Sequence, residues 1–163
     1  MNIIDLLLKE FDEEAQRTRR MLERIPEDKW DYKPHEKSMV FKYLVVHLAE
    51  LPSWVAMMTT DELDFAKMDY KPTEVNSRED VLNLHEKSIE QGRATLQKAR
   101  EDDLVGSWTL RKGEQIFMTM SKYELIRHSL AQTIHHRAQL GVYLRLLNIP
   151  IPGTYGPSAD EGF

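Results

Sequence analysis

The sequence predicts an all-α fold, a four-helix bundle forming one domain over residues 1–163. Three observations predict it. Four segments of about 20 residues or more carry apolar side chains at steps of three and four. Only 7 Gly and 7 Pro occur in the chain, too few to favour disorder or a repetitive β-fold with many tight turns. No internal sequence repeat is visible, and four long amphipathic segments without one point to a bundle.

The first helix spans 3–25, with Ile3, Ile4, Leu7, Leu8, Phe11, Ala15, Thr18, Leu22 and Ile25 on one side. Pro26 and Pro34 bracket a loop. Ser38 is the expected N-cap of a second helix, roughly 38–59, whose face carries Phe41, Leu44, Val45, Leu48, Leu51, Val55 and Met58. Pro52 lies inside that pattern and should kink it or remove a hydrogen bond. Residues 60–76 are polar and read as a long connection. Ser77 to Asp80 form a capping start for a third helix, about 78–101. Gly106 ends that region. Residues 107–120 contain two extended runs around Lys112-Gly113-Glu114, which reads as a short hairpin or a crossing strap. Ser121 and Glu124 make a capping box for a fourth helix, about 122–147. The Pro- and Gly-rich tail after Asn148 cannot be helical and should lie over the bundle.

Charge and composition narrow the function. The net charge of -5 opposes nucleic-acid binding, which ordinarily needs a basic surplus. With 0 Cys there is no disulfide, thiolate metal site or cysteine nucleophile, and the chain suits a reducing, cytoplasmic setting. No run approaches the ~18 apolar residues of a membrane helix. The opening stretch is interrupted by Asp5 and Glu10 and reads as helix, not as a signal peptide.

Six histidines are the unusual side chains: His35, His47, His85, His128, His135 and His136. At 100° per residue the apolar face of the fourth helix centres near His136, with Gln132 one turn before it. Residues at i and i+4 share a face and can share an ion. His128 lies ~12 Å along the axis from His136, too far to join it. A third ligand must come from another helix, and His47 on the second is the best placed. The plainer alternative is that these are hydrogen-bonded core histidines. His35 reads as loop surface, His85 as a helix-face residue, and His128 and His135 as surface or supporting groups. Trp30, Trp54 and Trp108 read as packing residues, and Trp54 also as the wall of a pocket beside His47. Arg137 and Arg145 read most simply as a solvated helix face. Arg137 is also the candidate to orient an anionic group, and Asp160 and Glu161 are its candidate acidic partners, with Arg145.

The run from Ile134 to Leu147, His-His-Arg-Ala-Gln-Leu-Gly-Val-Tyr-Leu-Arg within it, and the segment Ile149 to Glu161 resemble the DinB family of bacterial damage-inducible proteins. So do Lys33-Pro34-His35-Glu36-Lys37-Ser38 and the stretch His47 to Trp54. The resemblance spans nearly the whole chain. It implies a bundle in up-down-down-up order, often dimeric, with a divalent ion (nickel, zinc or iron) held by three histidines. The first and last of these fall on His47 and His136. The middle one falls on Gln132, whose harder amide oxygen should weaken binding or change the metal chosen.

Two functions follow from the resemblance. One is a metalloenzyme: related bundles include S-transferases dependent on a small thiol, which would act here on an electrophilic small molecule, with Arg137 and Trp54 lining the cofactor site. The other is a metal-free dimeric binding protein with a decayed site. Contact with DNA is opposed by the net charge, and no membrane partner is expected.

Overall fold

The computed structural model describes residues 2–69 and 71–162. Met1, Tyr70 and Phe163, which belong to the predicted opening, connection and tail, lie outside the described residues.

Four α-helices form: α1 (Ile3–Leu22), α2 (Phe41–Glu50), α3 (Arg78–Lys98) and α4 (Lys122–Leu146). Three carry capping boxes, Asn2 with Asp5, Ser77 with Asp80, and Ser121 with Glu124. In each, a side-chain oxygen satisfies a backbone donor that the first helical turn leaves free. The start of α2 departs from expectation. Ser38 does not cap it; the N-cap is Val40, without a side-chain bond. The loop replaces the missing hydroxyl: Phe41 N–H donates to the Tyr32 carbonyl at 2.9 Å and Lys42 N–H to that of Trp30 at 3.0 Å. Pro52 also acts as anticipated but more strongly. It converts the second half of the predicted helix into a 3-10 segment, Leu51–Thr59. At the other end of the chain, α4 stops where Asn148 takes a left-handed φ of 56° and Ile149 N–H reaches back to the Leu144 carbonyl.

Two apolar clusters show how the helices run. One joins Met21 and Leu22 to Phe41, Leu44, Val81, Leu140 and Leu144. The other joins Ile4, Leu7 and Phe11 to Met58, Leu96, Leu125 and Ile126. The ends of α1 and α4 therefore meet the beginnings of α2 and α3: the first pair runs one way, the second the other. α1 and α2 each pack on both α3 and α4. Each buried Leu or Phe in these clusters contributes about 1.5–3 kcal/mol of transfer free energy.

The fold is not all-α. β1 (Glu62–Asp64), β2 (Ser107–Lys112) and β3 (Gln115–Ser121) make a three-stranded mixed sheet in the order β1-β2-β3. β2 and β3 form the hairpin that the extended runs allowed, turning at Gly113 with a left-handed φ of 58°. β1 lies in what reads as a polar connection and pairs parallel with β2. A three-residue strand carries no usable alternation, and its partner is more than 40 residues away, beyond α3. Asp64 ties the two together by accepting from Gly113 N–H and Ala66 N–H, each at 2.9 Å. These bonds hold its carboxyl below the usual range.

Candidate metal centre

α2 and α4 bring two of the predicted residues together. The imidazoles of His47 and His136 meet edge to face with ring centroids 4.6 Å apart. Gln132, one turn before His136 on α4, places Oε1 3.0 Å from His136 Nε2. Trp54, carried past His47 by the 3-10 segment, stands at 5.3 Å from the His47 ring and forms one wall. His135 lies beside His136 at 4.9 Å on the solvent side.

The sequence missed Gln139. Its Oε1 lies 2.9 Å from His136 Nδ1. A neutral imidazole donates through one nitrogen only. With Nδ1–H donating to Gln139, the Nε2 lone pair is left toward Gln132 and His47, which is how a second carbonyl fixes a ligand histidine's tautomer. The signal available in the sequence was a polar residue three positions after His136 on an exposed edge, too common a pattern to select.

The donor set fits a divalent ion. With metal–donor bonds of about 2.0–2.1 Å, two donors at a right angle stand roughly 3.0 Å apart, and two imidazole centroids roughly 4.5–5.2 Å apart. The 3.0 Å separation of Nε2 and Oε1 and the 4.6 Å between rings both fall there. Among the described residues no group of three His, Cys, Asp or Glu converges, and the polar side chain beside the two histidines is Gln132.

α4 is turned differently from its sequence pattern. Its buried face runs through Ile126, Ser129, Thr133, Arg137, Leu140 and Leu144. His136 and Gln132 sit at the edge of that face, toward α2, and not at its centre. Arg137, expected on a solvated side or beside the ligand, is 2% exposed and points to α1. Its Nη2 lies 2.6 Å from Glu14 Oε2 and donates to the Tyr155 hydroxyl at 2.7 Å. Its Nη1 donates to the Glu14 carbonyl and to Thr18 Oγ1. Those partners occupy the guanidinium, so Arg137 anchors α4 and the tail on α1. Asp160 pairs with Arg145, and Glu161 with Arg20 and Arg24, which lays the tail along α1 and α4. A cleft of about 610 Å³ between the tail and α4 is lined by Ile134, Ala138 and Val142. Ile134 and Ala138 lie roughly 160° around the helix from His136, so this cleft is separate from the histidines.

His85 is fully buried, a core group and not a helix-face residue. Its Nε2 contacts the Ala15 carbonyl at 3.2 Å, while Nδ1 has no partner in hydrogen-bond geometry among the described residues. Burial lowers its pKa against the pull of the Ala15 carbonyl. His35 is exposed in the loop, and His128 is half-buried on α4.

Burial, and then the neighbouring His136, push His47 down to about 4. Burial also lowers His136, with the Gln139 contact opposing and His135 adding to the shift. Unfolded histidine titrates near ~6.5. The stability these neutral rings contribute is therefore complete above that pH and is lost as pH falls from ~6.5 toward the folded values. Urea unfolding of the metal-free protein at pH 7.5, 5.5 and 4.5 should show that loss. His47→Gln should make the slope shallower, and an unchanged slope would contradict the assignment.

Fold and geometry together define a helical bundle, edged by a small sheet, with a two-histidine, one-amide donor cluster between α2 and α4. The chain belongs to the DinB family, whose model matches residues 1–162. No curated protein matches it in sequence. Among solved structures it is similar to a DinB-like protein from Bacillus subtilis, with TM-score 0.71 and 19% identity, covering 97% of this chain and 99% of that one. A DinB-like protein from Bacillus cereus ATCC 10987 gives TM-score 0.70 and 17% identity, covering 91% and 95%. The mycothiol-dependent maleylpyruvate isomerase gives TM-score 0.64 and 15% identity, covering 86% of this chain and 61% of that one. At these identities the likeness is one of fold. Among the described residues no helix is long and apolar enough to cross a membrane.

Proposed function

We propose that this chain is a metal-dependent enzyme of small-thiol chemistry, an S-transferase acting in a reducing bacterial cytoplasm. His47, Gln132 and His136 hold the divalent ion. The observation that carries this reading is the approach of His47 and His136 from separate helices, with Gln132 Oε1 set beside Nε2. Family membership and the fold shared with a mycothiol-dependent isomerase support it. A bound divalent ion supplies Lewis acidity, lowering the pKa of a coordinated thiol so that it is presented as thiolate to an electrophile.

The chain's own residues prepare for that role. The lowered pKa of His47 keeps it neutral, and so available as a donor, throughout the physiological range. Gln139 orients the His136 ring. Trp54 shields one side of the pair from water. With two imidazoles and one amide oxygen, the set is harder than three histidines, and zinc or iron(II) suits it better than a metal selected by soft ligands.

Elemental analysis of untagged protein, before and after addition of nickel, zinc or iron(II), tests the reading. Near one ion per chain is expected, lost in His47→Ala. Gln132→His should tighten binding by roughly tenfold or more, as imidazole replaces a weak amide donor. If neither the native chain nor Gln132→His takes up an ion, the cluster is a metal-free site and the enzyme reading fails. If ions bind, thiol-dependent turnover that His136→Ala abolishes is the second expected result.

A further inference from the structure

The cleft between α4 and the tail, about 610 Å³, is in the size range of small-molecule sites, roughly 300–1,000 Å³. Its floor is a row along α4. Ile134, Ala138, Gly141 and Arg145 follow at steps of four, three and four, which keeps them on one line of the helix. At ~1.5 Å per residue the row is about 16 Å long. Its middle is low: Ala138 carries one methyl group, and a Cβ added at Gly141 would meet only Met21 Cε, at 3.7 Å. Val142 and Leu146, both more than half exposed, form a rim. The tail from Ile151 to Ala159 forms the other wall. That wall is tied down. Asp160 and Glu161 pair with α4 and α1, and the Tyr155 hydroxyl donates to Glu14 at 2.7 Å. The turn at Gly153 is so tight that a Cβ there would stand 2.6 Å from the Gly156 carbonyl oxygen.

The charged side chains lining the cleft are Arg137 and Arg145, and none is acidic. Arg137 is spent on Glu14. Arg145, 45% exposed, stands at the end of the row, and its two Nη atoms hold Asp160. A guanidinium has a second edge, and Arg145 Nε–H has no partner among the described residues. We propose that this cleft binds a medium-chain carboxylic acid. The carboxylate meets the free edge of Arg145, and the hydrocarbon chain lies over Gly141 and Ala138 toward Ile134. The row selects that class: one cation at one end and apolar side chains along the rest match a monoanion with an apolar body. A neutral apolar ligand would leave the arginine donors unmet, and a dianion would bring a second charge toward Asp160.

The row lies on the far side of α4 from His136, so this site does not rest on the ion-binding reading. Isothermal titration of the full chain with hexanoate, octanoate, decanoate and octanol tests it. Decanoate should bind saturably below about 1 mM. Each CH₂ gained along the acid series should tighten binding roughly threefold to fourfold. Octanol should bind about tenfold more weakly than octanoate, since it offers no charged acceptor. Ala138→Trp fills the trough at an exposed position and should abolish binding with Tm unchanged. If that variant does not fold, Ala138→Leu is the milder filling, with a loss of about tenfold expected. Arg145→Met should erase the preference for octanoate over octanol. His47→Ala should bind decanoate as the native chain does. A native chain that takes up no decanoate would overturn the proposal. Binding that both fillings of Ala138 leave intact, or that His47→Ala removes, would place the acid elsewhere and overturn it too. So would equal affinity for octanoate and octanol, which would make the cleft an apolar slot that reads no head group.

Discussion

Arg137→Ala is expected to cost about 3–5 kcal/mol of folding stability, the range for removing one partner of a buried ion pair. Arg137 and Glu14 are 2% and 4% exposed, so the stranded carboxylate cannot be rehydrated without opening the α1–α4 contact. Glu14 keeps Arg17 at 2.9 Å and the Tyr155 hydroxyl at 2.7 Å, which favours the lower end of that range. The Tyr155 and Thr18 hydroxyls lose their shared donor, and the tail loses one of its anchors. For a chain of this size about 3 kcal/mol is a drop in Tm of roughly 6–12 °C. Arg137→Lys should recover little, because one ammonium cannot reach Glu14, Thr18 and Tyr155 as the planar fork does. Joint replacement, Arg137→Met with Glu14→Leu, should recover much of the loss, since an apolar pair leaves no buried charge. Urea unfolding measures all three. A cost below about 1 kcal/mol for Arg137→Ala would mean that the pair does not organise this side of the bundle. Ion affinity should be nearly unchanged, because the guanidinium faces α1 and not His47.

The second large effect is steric. Gly92 lies where α3 crosses the 3-10 segment. A Cβ there would collide with the Pro52 carbonyl oxygen and come within 2.7 Å of the Phe11 ring. A carbonyl oxygen of the main chain cannot rotate aside as a side chain can. Gly92→Ala should therefore cost about 2–3 kcal/mol or more in overpacking, well beyond the roughly 1 kcal/mol that alanine returns as a better helix former. Gly141→Ala is the matched control. It is also a buried helical glycine, but its added Cβ would meet only Met21 Cε, at 3.7 Å, an ordinary contact. That variant should be neutral or slightly stabilising. Equal losses in both would show that the crossing is looser than the close approach implies.

Gly92 also shows what the sequence hides. In an amphipathic stretch a glycine reads as a weak helix former; only its neighbour across the crossing makes it indispensable. α4 is a larger case. Apolar residues surround it on several sides, with Ile134, Val142 and Leu146 turned outward or half-buried and charged Arg137 turned inward. Periodicity could not choose the buried face, because Glu14 on α1 supplies the charge that lets Arg137 point in. The centring of that face on His136 was thus displaced to Thr133, Arg137 and Leu140, while the spacing of Gln132 and His136 remained a sound local signal.

By itself the sequence determined the helices, their capping boxes at Ser77 and Ser121, and the break at Pro52. Each depends on residues within four positions of one another, where backbone hydrogen bonds and side-chain period act directly. It also marked Gln132 and His136 as one face, for the same reason. Only long-range packing set the pairing of β1 with β2, the burial of Arg137 and His85, and the approach of His47 to His136. Those depend on segments about 45 to 125 residues apart, brought together by burial of the common core, and no local spacing encodes which of the possible faces that core will take.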